Sequence, residues 1–122
     1  MQSPRKPETE AAYQAFKADK SDEELSLFNL AEETILKDYQ HWVIIQSRFP
    51  YDTMVRVNDL LILRRPVTRH ADMTAAEKTE YEMILDELAE AQEYDALIEN
   101  FPKTKSVPKQ LHIHLICWHQ TH

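Results

Sequence analysis

The 122-residue chain contains no glycine, where average usage near 7% would give roughly eight or nine. Glycine is the residue that enters positive φ and lets backbone approach a ligand closely. Its absence removes the glycine-rich dinucleotide and phosphate loops and the G-x-S-x-G nucleophile elbow. It also removes the sharp-turn glycine of an EF-hand loop. Any site in this chain must therefore be built by side chains, or by backbone that tolerates a Cβ.

Hydrophobic residues at 43% and charged residues at 29% describe a globular chain rather than a disordered one. The length fits one domain with a single core. A net charge of −7 argues against general duplex binding, which rests on cationic contacts to phosphate. A small anionic ligand stays compatible where positive residues cluster. Cys117 is the only cysteine, so no internal disulfide forms and a reducing compartment is expected. No apolar run approaches the roughly 20 residues of a membrane span. The polar stretch Met1 to Pro7 has no apolar segment behind it, so no secretory signal is expected. These features together predict a cytoplasmic protein without a membrane partner.

Residues 1–20 are polar and alanine-rich, with Tyr13 and Phe16 as their large apolar groups, and read as a short helix after Pro7 or a tail. Residues 21–122 read as a single domain. Ser21-Asp22-Glu23-Glu24 is a capping box, and Leu25, Phe28, Ala31, Ile35 and Leu36 follow at three- and four-residue steps, predicting a helix to about Lys37. Trp42 to Ile45 and Val55 to Leu63 are apolar runs separated by Phe49-Pro50-Tyr51-Asp52 and predict two antiparallel strands. A second capping box, Thr74-Ala75-Ala76-Glu77, opens a helix from about Ala75 to Gln92 with Tyr81, Ile84, Leu85 and Leu88 on one face. Tyr94 to Asn100 is a weaker strand candidate, and Gln110 to Trp118 the last strand. The fold class is α+β: a meander-like antiparallel sheet of four to five strands, one main helix packed on it, and an extra N-terminal helix alongside.

The last strand carries the chemistry. Alternation puts Gln110, His112 and His114 on one face and Leu111, Ile113, Leu115 and Cys117 on the other, which suits a core under the main helix. Two imidazoles at i and i+2 can converge on one small ligand. Spacing alone also fits a polar row on the wet face of a sheet, which needs no function. A metal site is a third reading, since histidine is the commonest metal ligand and His-x-His on a strand resembles the cupin ligand pair. That fold is punctuated by glycines, however, and a third ligand would have to come from His70, His119 or a distant carboxylate at no recognisable spacing. No metal and no cofactor are assigned.

The run Gln110-Leu111-His112-Ile113-His114-Leu115-Ile116 resembles the histidine triad (HIT) signature, three histidines alternating with apolar residues on a closing strand. Upstream, Trp42 to Gln46 with Phe49-Pro50-Tyr51-Asp52 resembles the family's first strand and proline turn. Leu60-Leu61-Ile62-Leu63-Arg64-Arg65 resembles its second strand, Met73-Thr74-Ala75-Ala76-Glu77 the start of its central helix, and Ser106-Val107 the serine-valine before the triad. The resemblance spans roughly residues 35–118. Gln110 stands in the first triad place, and the loop before Ser106 lacks the family's glycine.

The resemblance implies a nucleotidyl hydrolase or transferase acting at the α-phosphate of a nucleotide conjugate through a covalent histidine intermediate. By position, His112 is the nucleophile, His114 a hydrogen-bond donor to the phosphate or leaving atom, and Gln110 the third member. Ser106 donates to a phosphate oxygen, and Asn100 is a looser phosphate contact. Lys105, with Lys103 and Lys109, adds positive potential. The ribose contact at the end of the first strand falls on Gln46 or Ser47. The implied partner is a small nucleotide or nucleotide conjugate, and the family's habit of pairing makes a homodimer an expectation, with Tyr13, Phe16 or Phe28 as contacts. A HIT-fold module that binds a nucleotide or a protein without turnover is the alternative. On this register, Gln110→His is expected to preserve or raise turnover.

Overall fold

The computed structural model describes residues 3–101 and 107–119. Ser106 and Lys105, two of the expected phosphate contacts, and Lys103 lie outside the described residues. The chain is α+β, with a five-stranded antiparallel sheet in the order β1-β2-β3-β5-β4. The strands are β1 (Ile35–Asp38), β2 (Trp42–Gln46), β3 (Val55–Leu63), β4 (Ala96–Ile98) and β5 (His112–Trp118). The first three form a meander; β5 then lies against β3, leaving β4 at the edge.

The capping box Thr74–Glu77 forms as expected and opens α3 (Ala75–Ala91), the main helix. The helix ends on Gln92 at φ 56°, the left-handed cap that glycine commonly fills. It is the only positive-φ residue among the described ones, and there a glycine-free chain meets the need with a side chain that costs roughly 1 kcal/mol. The α3 face of the sheet holds the larger core: Trp42 and Ile44 of β2, Leu61 and Leu63 of β3, and Leu111, Ile113 and Leu115 at β5, under Ile84 and Leu88. Trp42 donates its indole N–H to the Glu77 carbonyl at 2.9 Å, so its polar edge is satisfied inside that core.

Val43, Ile45, Leu60 and Ile62 form a second buried cluster on the opposite face, with Phe28 and Leu30 packed against it. Strands buried on both faces read as unbroken apolar runs, which is the character of Trp42 to Ile45 and Leu60 to Leu63. The cover on this second face is the N-terminal segment. Its first helix, α1 (Pro7–Ala18), begins with Pro7 and two acids in its first turn, both favourable at a helix start. Tyr13 and Phe16 pack on Phe49 at centroid distances of 5.3 and 5.1 Å. The Lys6 N–H donates to Asp52 at 2.7 Å, the Thr9 hydroxyl donates to the same carboxylate, and the Thr53 N–H donates to the Pro4 carbonyl at 3.0 Å. Tyr13, Phe16 and Phe28, expected as dimer contacts, are thus engaged within the chain.

The helix expected from Ser21 to Lys37 is a correction. Its capping box forms between Ser21 and Glu24, but α2 covers only Asp22–Leu25. Ser26 bonds back to the Glu23 carbonyl through its hydroxyl, at 2.6 Å, and the Phe28 N–H is taken by Gln110 Oε1 at 2.9 Å. After a 3₁₀ turn at Leu30–Glu32 the chain joins the sheet as β1, with Asp38 opposite Val43. Ile35 and Leu36, which supplied the helical spacing, are 45% and 46% exposed on this edge strand; tertiary pairing overrode a weak local periodicity. The strand expected over Tyr94 to Asn100 is confined to Ala96–Ile98, and β5 begins at His112, two residues later than expected.

No helix among the described residues is long and apolar enough to cross a membrane.

Candidate functional site

A cavity of about 510 Å³ lies between the second sheet face and the N-terminal segment, with Leu60, His112 and His114 on the sheet side and Phe16, Leu25 and Phe28 on the cover. The polar row expected on a wet surface is therefore buried: His112 is 2% and His114 4% exposed. The correction follows from residues 3–33 lying over this face, which no alternation within β5 could reveal. The two imidazole centroids are 5.8 Å apart.

Each ring is oriented by a different device. His112 Nδ1 is 2.9 Å from the Gln110 carbonyl. A carbonyl only accepts, so neutral His112 carries its proton on Nδ1, and Nε2 is the nitrogen with the lone pair. The Phe28 ring stands edge-on to it at 5.1 Å. His114 is fixed through Asn58 on β3. The Tyr51 N–H donates to Asn58 Oδ1 at 3.0 Å, which turns Nδ2 toward the Asp59 carbonyl at 3.2 Å and toward His114 Nδ1 at 3.1 Å. An amide NH₂ only donates, so Nδ1 of His114 accepts and its proton sits on Nε2. That N–H is buried without a hydrogen-bond partner among the described residues. Leaving such a donor unmet costs about 1–3 kcal/mol, and a ligand oxygen in the cavity would relieve it. Tyr51 stacks on the same ring at 4.5 Å and 21°.

Burial, reinforced by His112 whenever that ring is protonated and by the Arg5 guanidinium, pulls the His114 pKa down to about 3. The ring is therefore neutral across the physiological range and acts as a fixed donor, not as an imidazolium. Its folded pKa lies below its unfolded value, so its contribution to stability is complete above about pH 6.5 and is lost as pH falls toward 3. Two-dimensional NMR of the histidine rings is expected to show no His114 titration between pH 8 and 5. A His114 midpoint near 6.5 would mean that the ring is solvated.

The expected site residues divide three ways. His112 and His114 share the cavity. Gln110 is buried beside it, but its amide does not reach it: Oε1 takes the Phe28 N–H, and Nε2 donates to the Leu63 and Arg64 carbonyls at 2.8 and 3.3 Å. Asn100 lies in a second cavity of about 460 Å³, where it donates to the Tyr51 hydroxyl at 3.1 Å. Of the two expected ribose contacts, Ser47 lines the histidine cavity and Gln46 is exposed at the end of β2. Lys109 is exposed, its N–H donating to the Ser26 carbonyl.

Four residues were not singled out from the sequence. Asn58 and Tyr51 orient His114; the polar pair Asn58-Asp59 interrupting the run from Val57 to Leu63 was the available signal. Glu33, whose side chain is 8% exposed, lines the cavity with Arg48 at 3.2 Å, and burial raises its pKa. Arg5, also on the cavity, is 11% exposed at its side chain. Nothing in the sequence spacing marked either of these two. Among the described residues, no group of three or more His, Cys, Asp or Glu is placed to hold a metal ion.

Compared with known proteins, the chain matches no family model and no curated protein.

Proposed function

We propose that the domain is a HIT-like nucleotidyl hydrolase or transferase, with His112 as the nucleophile toward the α-phosphorus of a nucleotide conjugate. The observation that carries this reading is the pair of fixed tautomers in one cavity: a lone pair on His112 Nε2, and an N–H on His114 Nε2 that has no partner among the described residues. The five-stranded antiparallel sheet with α3 on its far face and the triad-like sequence of β5 support the same reading.

The reaction divides into two displacements. The His112 Nε2 lone pair attacks phosphorus, the N–P bond forms, and the bond from phosphorus to the leaving group breaks, the electron pair departing with that group. The imidazole then carries phosphorus on Nε2 and hydrogen on Nδ1, and its positive charge faces the Gln110 carbonyl. His114 donates to a phosphate oxygen or to the leaving atom. Water then attacks phosphorus, the N–P pair returns to Nε2, and the water proton passes to the departed group. The products are a nucleoside monophosphate and the protonated leaving group. Ser106, by its place before the triad, would donate to the same phosphate.

The test is to incubate the protein with adenosine 5′-phosphoramidate and, separately, with adenosine diphosphate conjugates, and to quench within the first turnovers. AMP release with an intact-mass gain of one adenylyl group, acid-labile and hydroxylamine-sensitive, is expected from at least one of them. Binding of AMP without adduct or release from any conjugate would replace this reading with a nucleotide-binding module.

A further inference from the structure

We propose that Arg5 is the specificity-determining residue of this site, selecting conjugates whose leaving group begins with a second phosphate and directing that group into the cavity lined by Asn100. The inference rests on the nucleotidyl-transfer reading and adds the class of bond that is cut, a phosphoanhydride.

Arg5 and Tyr13 line both cavities. The histidine cavity lies on one side of them; on the other is the second cavity, with Tyr51, Ile98 and Asn100 on its wall. His114 belongs to the first cavity and stacks on Tyr51 of the second, so Arg5, Tyr13 and the Tyr51–His114 pair stand at the boundary. A phosphorus held at His112 and His114 would thus present its leaving atom beside a guanidinium.

The surroundings of that guanidinium suit an anion. Arg5 lies 4.2 Å from the Tyr13 ring centroid and 5.0 Å from that of Tyr51, and its Nε donates to the Phe49 carbonyl at 2.7 Å. These contacts fix its plane, and its ion pair among the described residues is a long one. The nearest carboxylate, Glu10, is 3.6 Å from Nη1, and Glu10 already accepts from Ser3 at 2.9 Å and from Gln14 at 2.6 Å. Arg48, by contrast, is paired with Glu33 at 3.2 Å. A guanidinium held in plane on the wall of both cavities can turn its Nη donors to phosphate oxygens as the long Glu10 pair gives way.

The chemistry of His114 points the same way. A neutral donor cannot hand a proton to a departing amine, whereas a phosphate leaves as an anion and needs only counter-charge and hydrogen bonds. In the step proposed, the His112 N–P bond forms as the bridging P–O bond breaks. The bridging oxygen stays on the β-phosphate with the electron pair, and that terminal phosphate is received by Arg5. Asn100, an expected phosphate contact lying away from the histidines, falls in the path of the remainder of the leaving group. The second cavity, at about 460 Å³, is of the size that holds a sugar or nucleoside.

The test uses the full chain with AMP and ADP as probes in isothermal titration, and compares turnover of an adenosine diphosphate conjugate with that of adenosine 5′-phosphoramidate. Wild type is expected to bind ADP about tenfold or more tighter than AMP, the range of a charge-assisted bidentate contact. Arg5→Ala should bring the two affinities to near equality and lower the anhydride-to-phosphoramidate ratio of kcat/KM by a similar factor. Arg5→Lys, which keeps the charge and loses the fork, should fall between. If Arg5 served only to tie down the N-terminal segment, both probes would weaken together and both ratios would hold, which overturns the inference while nucleotidyl transfer stands. Equal wild-type affinity for the two probes overturns it as well. If no conjugate gives an adenylyl adduct, the underlying reading has failed, and an ADP preference lost in Arg5→Ala would then identify a diphosphate-binding site without turnover.

Discussion

His112→Ala is expected to abolish the adenylyl adduct and to reduce AMP release by roughly three orders of magnitude or more, as loss of a covalent nucleophile does in enzymes whose catalytic groups act as a unit. The ring is 2% exposed and meets the cover through the Phe28 ring at 5.1 Å, so the fold of the variant is checked by its urea midpoint. AMP affinity, carried by the rest of the cavity, should fall far less than turnover. That split identifies a nucleophile: a residue that merely shaped the cavity would lower binding and rate together. His112→Gln gives a further control, since its amide fills similar space and cannot form the N–P bond. If His112→Ala turned over the conjugate at the wild-type rate, the covalent mechanism on His112 would be excluded.

The parts of this molecule that could be read from the chain are those where local signals and long-range packing agree. Thr74 and Glu77 cap a helix whose apolar face, Ile84 and Leu88, meets the sheet. Leu60 to Leu63 is an apolar run because both of its faces are buried. The alternation in β5 separated Leu111 and Ile113 from His112 and His114 correctly. What could not be read is the second layer. Residues 3–33 have ordinary polar composition, and their position over the histidines depends on single long-range bonds such as Arg5 to Phe49 and Phe28 to Gln110, 44 and 82 residues apart. Such contacts leave no periodic trace. The same gap explains the overlong helix after Ser21 and why spacing alone left a wet-face reading of the histidines open.

The missing glycines gain a physical meaning from this layer. A glycine-rich phosphate loop wraps its ligand with backbone N–H groups. In this chain the donors identified around the candidate phosphate position are side chains, the His114 imidazole and the Arg5 guanidinium. Side-chain donors must be held in place by further bonds, and Asn58, Tyr51 and Tyr13 perform that role.

The second large effect is expected at Gln110. A histidine there would complete the triad that the sequence resembles, and by sequence alone Gln110→His should preserve or raise turnover. The geometry sets a cost in stability beside that expectation. The Gln110 side chain, in a residue 3% exposed, makes three bonds of mixed polarity: it accepts from the Phe28 N–H and donates to the Leu63 and Arg64 carbonyls. One residue thereby joins the cover that carries Phe28 to the end of β3, while its own carbonyl aligns His112. Leu at this place has a similar size and no polar atoms, and leaves those groups without their partner. At about 1 kcal/mol per lost bond, plus the cost of buried groups left unmet, Gln110→Leu should destabilise the fold by about 2–4 kcal/mol, a large part of the 5–15 kcal/mol typical of a domain. Gln110→His should lose about half as much, since an imidazole offers one donor and one acceptor at fixed positions. Gln110→Glu supplies the test of polarity. Its second oxygen faces two carbonyls, so the folded state favours the protonated acid and raises its pKa. The variant should then be most stable below the unfolded carboxyl pKa near 4.3 and lose that stability as pH rises through the folded value. Urea midpoints across pH 4 to 8 for the three variants measure this directly. If Gln110→His instead kept the wild-type midpoint and turned over substrate faster, the amide would not be a structural clamp, and the first triad place would belong to the chemistry.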